Sequence, residues 1–442
     1  MEKSQEHRIN LRLPTDLMEA MDELRIVGEG CSSVNKWVLD AIQEKIGRDS
    51  QSDAPTETKA ATKKPKFYEF FAGGGMARAG LGDSWECLFS NDFSAMKGQV
   101  YKKNWNGGSE LLIEDVNKVS LEDLPHNADL VWASFPCQDL SLAGNSSGLG
   151  HRDKKDQTRS GTFWPFWKLM RGLMDAGRAP SIIVLENVYG ALTSHEGKDF
   201  AAIGSAFSGA NYKFGALVID AKHFVPQSRQ RVFIVGVRNG LALPKQLTSS
   251  IPNGPWHPEA LQRAHKKLSQ EAQRKWIWWN VPAPAKRTTR FVDLVEENPS
   301  DVSWHSVEET KRLLSLMNEV NLEKVEEAKR AGVLMVGALY RRTRQEEDGE
   351  KRQRAEVRFD DIAGCLRTPS GGSSRQIILI VDGNKVRSRL LSPREAARLM
   401  GLDDSYVLPK KYNDAYHVAG DGVVVPVVSH LSKHLFKPIL DS

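Results

Sequence analysis

Apolar and polar positions along this chain fall into distinct regimes. Between residues 67 and 237, short apolar runs recur at 67–71, 85–90, 130–134, 182–186, 216–220 and 232–237. Near-continuous apolar runs of this length predict strands buried on both faces. The stretches between them carry helical spacing, as at 166–173. Strands alternating with helices predict an α/β fold, an open and mostly parallel sheet with helices on both faces. In such sheets ligands bind outside the carboxyl ends of the strands.

Residues 238–388 read differently. They are polar and irregular, and they carry five of the eleven tryptophans (Trp256, Trp276, Trp278, Trp279, Trp304). Residues 306–330 have helical spacing, and 341–358 are dense in both charge signs. This segment predicts a second, smaller domain, with the tryptophan cluster at 276–279 as its core. Residues 389–442 then return to the first domain, and 420–427 read as a helix packed on it.

The first 48 residues form a third pattern. Ile9, Leu11 and Leu13 alternate with Arg8, Asn10 and Arg12 until Pro14 ends the strand. Asp16 and Glu19 then open a helix with Leu17, Met21 and Leu24 on one face. Ser32 or Ser33 caps a second helix, whose apolar face is Val34, Trp37, Val38, Ala41 and Ile42. One strand and two short helices cannot bury that face alone, which predicts a homodimer through 1–48. Residues 49–66, rich in Ser, Thr, Ala, Asp and Lys, read as a flexible linker.

Composition adds limits rather than an answer. The chain has 442 residues, 40% apolar and 26% charged, with a net charge of +5, a bias that permits a polyanionic partner. No apolar run is long enough to span a membrane, and the start Met1-Glu2-Lys3-Ser4 is no signal peptide. The four cysteines (Cys31, Cys87, Cys137, Cys365) show no metal-ligand spacing. A cytoplasmic, reducing setting is expected, with thiols available for catalysis and no metal site.

Candidate chemistry lies in three motifs, each read as ending an apolar run: Phe135-Pro136-Cys137-Gln138, Glu186-Asn187-Val188 and Gln227-Ser228-Arg229-Gln230-Arg231. A thiol, a carboxylate and two guanidiniums suit attack on a pyrimidine ring and stabilisation of the adduct. Each motif has a bland reading when alone: a small buried thiol, an ordinary turn, an exposed basic strand. A fourth motif, Phe71-Ala72-Gly73-Gly74-Gly75-Met76, follows the first apolar run, where glycines let backbone approach a ligand closely. It lacks the spacing and the lysine of a phosphate-binding loop. Asn91-Asp92-Phe93 ends the second run, and Asp115-Val116 precedes the third.

In this order the motifs resemble the cytosine-5 DNA methyltransferases of bacterial restriction–modification systems, over about 67–435. The resemblance implies the S-adenosylmethionine-dependent methyltransferase fold over 67–237 and a target-recognition domain over 238–388. It implies Cys137 as nucleophile, Glu186 on ring nitrogen 3 and the exocyclic amine, and Arg231 on the carbonyl oxygen, with Arg229 close behind. It also implies S-adenosylmethionine as cofactor, held by Phe71, Ala72, Gly73, Gly74, Gly75, Met76, Asp92, Phe93, Asp115, Val116, Ser134, Pro136, Asp421 and Gly422. Two positions depart from the family pattern: Met76 replaces a usual glycine and Asp421 a usual asparagine.

The implied partner is double-stranded DNA with its target base flipped out, and Gln138, Ser141 and the loop 145–161 are candidates to fill the gap. A restriction endonuclease partner and a place at the bacterial nucleoid follow from the same resemblance. The first 48 residues resemble ribbon-helix-helix repressors, which would aim Arg8, Asn10 and Arg12 at bases. Their seven Lys/Arg against ten Asp/Glu over 1–49 leave a dimerisation role alone as the alternative. Two rival readings of the whole chain stay open, an RNA methyltransferase of the same fold and a silent regulator that only binds DNA.

Overall fold

The computed structural model describes residues 64–136, 159–345, 349–367 and 375–442. The amino-terminal pattern with Arg8, Asn10 and Arg12, the linker through Lys63, and Cys137, Gln138, Ser141 and the loop through 158 lie outside the described residues.

Seven strands make the central sheet: β1 Lys66–Phe70, β2 Glu86–Asp92, β3 Leu111–Ile113, β4 Leu130–Ala133, β5 Ile182–Val188, β6 Tyr212–Asp220 and β7 Gln230–Arg238. Their order is β3-β2-β1-β4-β5-β7-β6. Neighbours pair in parallel from β3 across to β5, whereas β7 is antiparallel to both β5 and β6. Residues 221–229 between β6 and β7 are too few for a crossover helix, so the chain turns straight back. The sheet is buried on both faces. Helices Met76–Leu81 and Ala95–Asn104 and the carboxyl-terminal segment cover one, and helices Phe163–Asp175 and Lys198–Gly209 the other.

The α/β fold with a mostly parallel sheet is as the apolar runs predict. Strand order reverses between β1 and β4, and the glycine turn and the Phe135-Pro136 segment leave the sheet on either side of that point. A crevice at such a reversal is where open α/β sheets bind ligands.

Three details differ from expectation. The arginine motif does not end a strand; it opens β7, whose antiparallel direction brings it to the same sheet edge as the end of β5. The three-residue β3, too short to show a pattern, precedes Asp115. Residues 420–427 are not one helix: helix Tyr412–Asp421 stops and helix Val425–Leu431 starts after a break at 422–424.

The segment after β7 divides in two. Strands β8 Thr248–Ser249 and β9 Trp278–Trp279 pair with each other, and Trp256, Ile277 and Trp279 pack into one face of the large sheet, Trp278 into the other. Further on, β10 Met335–Gln345, β11 Lys351–Arg358, β12 Ile377–Asp382 and β13 Lys385–Leu390 form an antiparallel sheet in the order β11-β10-β12-β13. Helices Val307–Ser315 and Glu319–Arg330 close a separate core on it around Leu313, Val325, Leu339 and Leu379. Among the described residues no helix is long and apolar enough to cross a membrane.

Candidate active site

The glycine turn after β1 is tight because its surroundings leave no choice. Phe71 takes φ 58°, a left-handed conformation that costs a side-chain-bearing residue about 1–3 kcal/mol, and Gly73 and Gly75 follow at φ 58° and 79°. A Cβ on Gly74 would lie 2.2 Å from the Tyr406 hydroxyl, and one on Gly75 2.1 Å from the Trp105 indole nitrogen. Both groups donate to the Gly74 carbonyl, at 2.7 and 3.1 Å. Gly73 alone faces open space, with only the Lys97 side chain 3.9 Å away. Beneath the turn, burial pushes the Glu69 carboxyl up to about 8, against the pull of Arg78.

Asp92, buried at the end of β2, accepts from the Gly73 and Ser94 amides, each at 2.8 Å. These bonds fix the carboxylate beside the turn. Phe93 next to it is 72% exposed, an aromatic face without cover. Asn91 donates to the carbonyls of Leu112 and Glu114, tying β2 to the segment that carries Asp115. Asp115 is exposed and accepts from the backbone and side chain of Asn117, which hold its carboxyl below the usual range. Val116 is buried, Ser134 accepts from the Trp132 indole at 2.9 Å, and Pro136 is half-buried. Ala72 is buried on the turn itself.

Both departures from the family pattern meet here. Met76 is buried, and its sulfur fills the space over Gly422, where a Cβ would be 2.0 Å away. Asp421 pairs with Lys97 at 2.7 Å. Burial works against the Lys97 charge, but the carboxylates of Asp421 and Asp92 outweigh it and raise its pKa. Lys97 escaped sequence reasoning, because its partner is distant in the chain.

On the other side of the crevice Glu186, nearly fully buried, meets Arg231 at 3.1 Å between Oε1 and Nε. Val188 and Arg231 face each other across β5 and β7, so the strand register sets this approach. Asn187 donates to the Phe135 carbonyl at 3.1 Å, pinning the chain two residues before Cys137 beside Glu186. Arg229 is buried. Its guanidinium donates to the carbonyls of Leu366, Gly420 and Gly422 at 3.1, 2.9 and 2.8 Å, which holds the backbone on either side of Asp421 in place.

Arg229 also reaches the Cys365 sulfur at 3.5 Å. Burial pushes that thiol up, but Arg229 and Arg231 prevail and its pKa is lowered. Nothing in the sequence marks Cys365 as a neighbour of these arginines.

The sequence pattern of the family described as C-5 cytosine-specific DNA methylase matches residues 65–437. The type II methyltransferase M.HhaI of Haemophilus parahaemolyticus is 24% identical over 380 residues, covering 84% of this chain and 96% of its own. M.HpaII of Haemophilus parainfluenzae is 24% identical over 391 residues, covering 87% and 93%. Among solved structures, the S. pombe Dnmt2 methyltransferase superposes with a TM-score of 0.51 at 17% identity, covering 83% of this chain and 97% of that one. A Spodoptera frugiperda DNMT2 mutant gives 0.52 at 17% identity, covering 86% and 100%. These two show a shared fold. The match over most of the chain places it in the C-5 cytosine-specific DNA methylase family, and the protein is a DNA cytosine-5 methyltransferase.

Proposed function

We propose that the enzyme methylates cytosine in double-stranded DNA through a covalent adduct on Cys137, with the target base flipped out of the helix. The observation that carries this reading is the buried Glu186–Arg231 pair at 3.1 Å, with Asn187 holding the backbone just before Cys137 alongside. Carbon 5 of cytosine is scarcely nucleophilic. Attack of the Cys137 thiolate on carbon 6 forms a carbon–sulfur bond and moves ring electrons toward carbon 5. Glu186 supplies a proton or hydrogen bond at ring nitrogen 3 and accepts from the exocyclic amine. Arg231 donates to the carbonyl oxygen at carbon 2, and its charge favours the thiolate. Carbon 5 then accepts a methyl group. Loss of its proton to a base and departure of the sulfur restore the aromatic ring. Arg229 acts as a positioning residue, through the carbonyls of Gly420 and Gly422.

Methyltransferases of this family use S-adenosylmethionine, and the residues present fit it. Gly73 leaves room that a Cβ would fill; Asp92 suits ribose hydroxyls, and Asp115 the adenine amine. The exposed Phe93 ring suits stacking on adenine, with Phe71, Ala72, Gly74, Gly75, Val116, Ser134 and Pro136 as walls. When bound, this group supplies an electrophilic methyl.

A stacked base is out of reach of such a site, hence the flip, with Gln138 and Ser141 as candidates to fill the gap. A cavity of about 420 Å³ opens between Ser228 of the arginine motif and the β10–β11 pair, and Lys324, Arg342, Arg358 and Arg367 line it. That basic lining supports phosphate contacts from the recognition segment. Residues 1–48 are proposed as a ribbon-helix-helix dimer that binds an operator and regulates transcription of the enzyme's own gene. Loss of operator binding in Arg8→Ala/Arg12→Ala with methylation intact supports that role, and unchanged binding removes it.

The test of the reaction is transfer of label from S-adenosylmethionine to unmethylated duplex DNA, wild type beside Cys137→Ala, with RNA in parallel. Label on DNA that vanishes in the variant is expected. Label on RNA alone, or transfer that survives the substitution, overturns the reading.

A further inference from the structure

We propose that Lys97 and Asp421 together hold the amino-acid end of the cofactor, Lys97 taking its carboxylate and Asp421 its ammonium. The inference rests on the cofactor reading above. It starts from the placement of an ion pair. Lys97 bridges to Asp421 at 2.7 Å, and its side chain crosses the one glycine of the turn that faces open space, 3.9 Å from where a Gly73 Cβ would stand. Asp92, the proposed ribose ligand, accepts from the Gly73 amide beside that opening and faces Lys97 closely enough to raise its pKa. The crevice therefore ends in one ammonium flanked by two carboxylates, with the Lys97 side chain 16% exposed and that of Asp421 32%, open to solvent on one side.

A ligand whose far end carries one carboxylate and one ammonium matches such a pair charge for charge. Each partner exchanges a neighbour of opposite sign for the ligand's, so no charge is left uncompensated. The remaining carboxylate, Asp92, leaves a net negative site for a sulfonium. Asp421 is fixed for this exchange by Arg229, which grips the carbonyls on either side of it. An asparagine at 421 would offer Lys97 no charge, so this lysine and this aspartate belong together.

Affinity measured by titration calorimetry on the full chain separates a ligand contact from a structural bridge. Two probes share the adenosine and thioether: S-adenosylhomocysteine, which keeps the amino-acid end, and 5′-methylthioadenosine, which lacks it. Lys97→Met is expected to weaken the first by roughly tenfold or more, one charge-assisted hydrogen bond, and the second by less than about twofold. The charge-reversed Lys97→Asp/Asp421→Lys keeps an ion pair but inverts its order, and it is expected not to restore the first probe. Equal losses for both probes, or recovery in the reversed pair, overturn the proposal and leave a structural bridge. Wild type that binds neither probe would instead refute the cofactor reading itself.

Discussion

Gly422→Ala isolates how the Met76 departure is accommodated. Gly422 has φ −74° and ψ 169°, an extended conformation that alanine adopts freely, so backbone strain contributes nothing. The added methyl would stand 2.0 Å from the Met76 sulfur and 2.9 Å from its terminal carbon. Ordinary contact is about 3.5–4.0 Å, so one of the two must move by roughly 1.5–2 Å. Met76 is 2% exposed in the core beneath the turn and cannot swing into water. Overpacking of this kind costs about 1–3 kcal/mol. Met76→Ala deletes all three atoms that crowd the site and costs about 2–5 kcal/mol alone by leaving a cavity. The double variant should cost less than the sum by about 1 kcal/mol or more, because the alanine methyl enters that cavity. Urea unfolding of the four proteins gives the coupling, and titration with S-adenosylhomocysteine reports whether the turn returns to register. Costs that add to within about 0.5 kcal/mol would refute the packing argument.

Glu186→Gln keeps the size of the side chain and a partner for Arg231. It should lower the methyl-transfer rate by about 10²–10⁴ with an unfolding midpoint close to wild type, measured by single-turnover labelling and thermal melts. Glu69 is held near 8 by burial, above the ordinary 4.5 of the unfolded chain, so its contribution to stability is full below pH 4.5 and fades as pH rises to about 8. Glu69→Gln should remove that decline, on the order of a few kcal/mol across the window, and a gap between wild type and variant that stays constant in urea melts from pH 5 to 8.5 would exclude it. Cys365 lines the basic cavity with its thiol lowered by Arg229 and Arg231 against burial, while burial first and the Glu69 charge second raise that of Cys87. In Cys137→Ser at pH 7.5, iodoacetamide should label Cys365 several-fold faster than Cys87, as peptide mass spectrometry can count.

The parallel strands were legible because burial on both faces leaves an uninterrupted apolar run, such as Leu130-Val131-Trp132-Ala133, all buried. The antiparallel sheet β11-β10-β12-β13 was not, because only the near half of β10, Val336 to Leu339, is buried, while Arg342 to Gln345 extend past the core as an exposed polar run that hides the short apolar one. The candidate motifs could be named in order from the chain, yet the direction of β7 was needed to show why an arginine that begins a strand meets a glutamate near the end of another. Cys365 and Lys97 stayed hidden because their partners stand 136 and 324 residues away, and local pattern has no bearing on such contacts. Met76 and Asp421 show the same limit from the other side. Read one position at a time, each is a departure with no evident support. In the fold they converge on one helix end, where the sulfur occupies the room that Gly422 leaves and Lys97 answers the charge of the adjacent Asp421. A substitution at either position therefore cannot be judged by what usually stands there, only by whether its partner has changed as well.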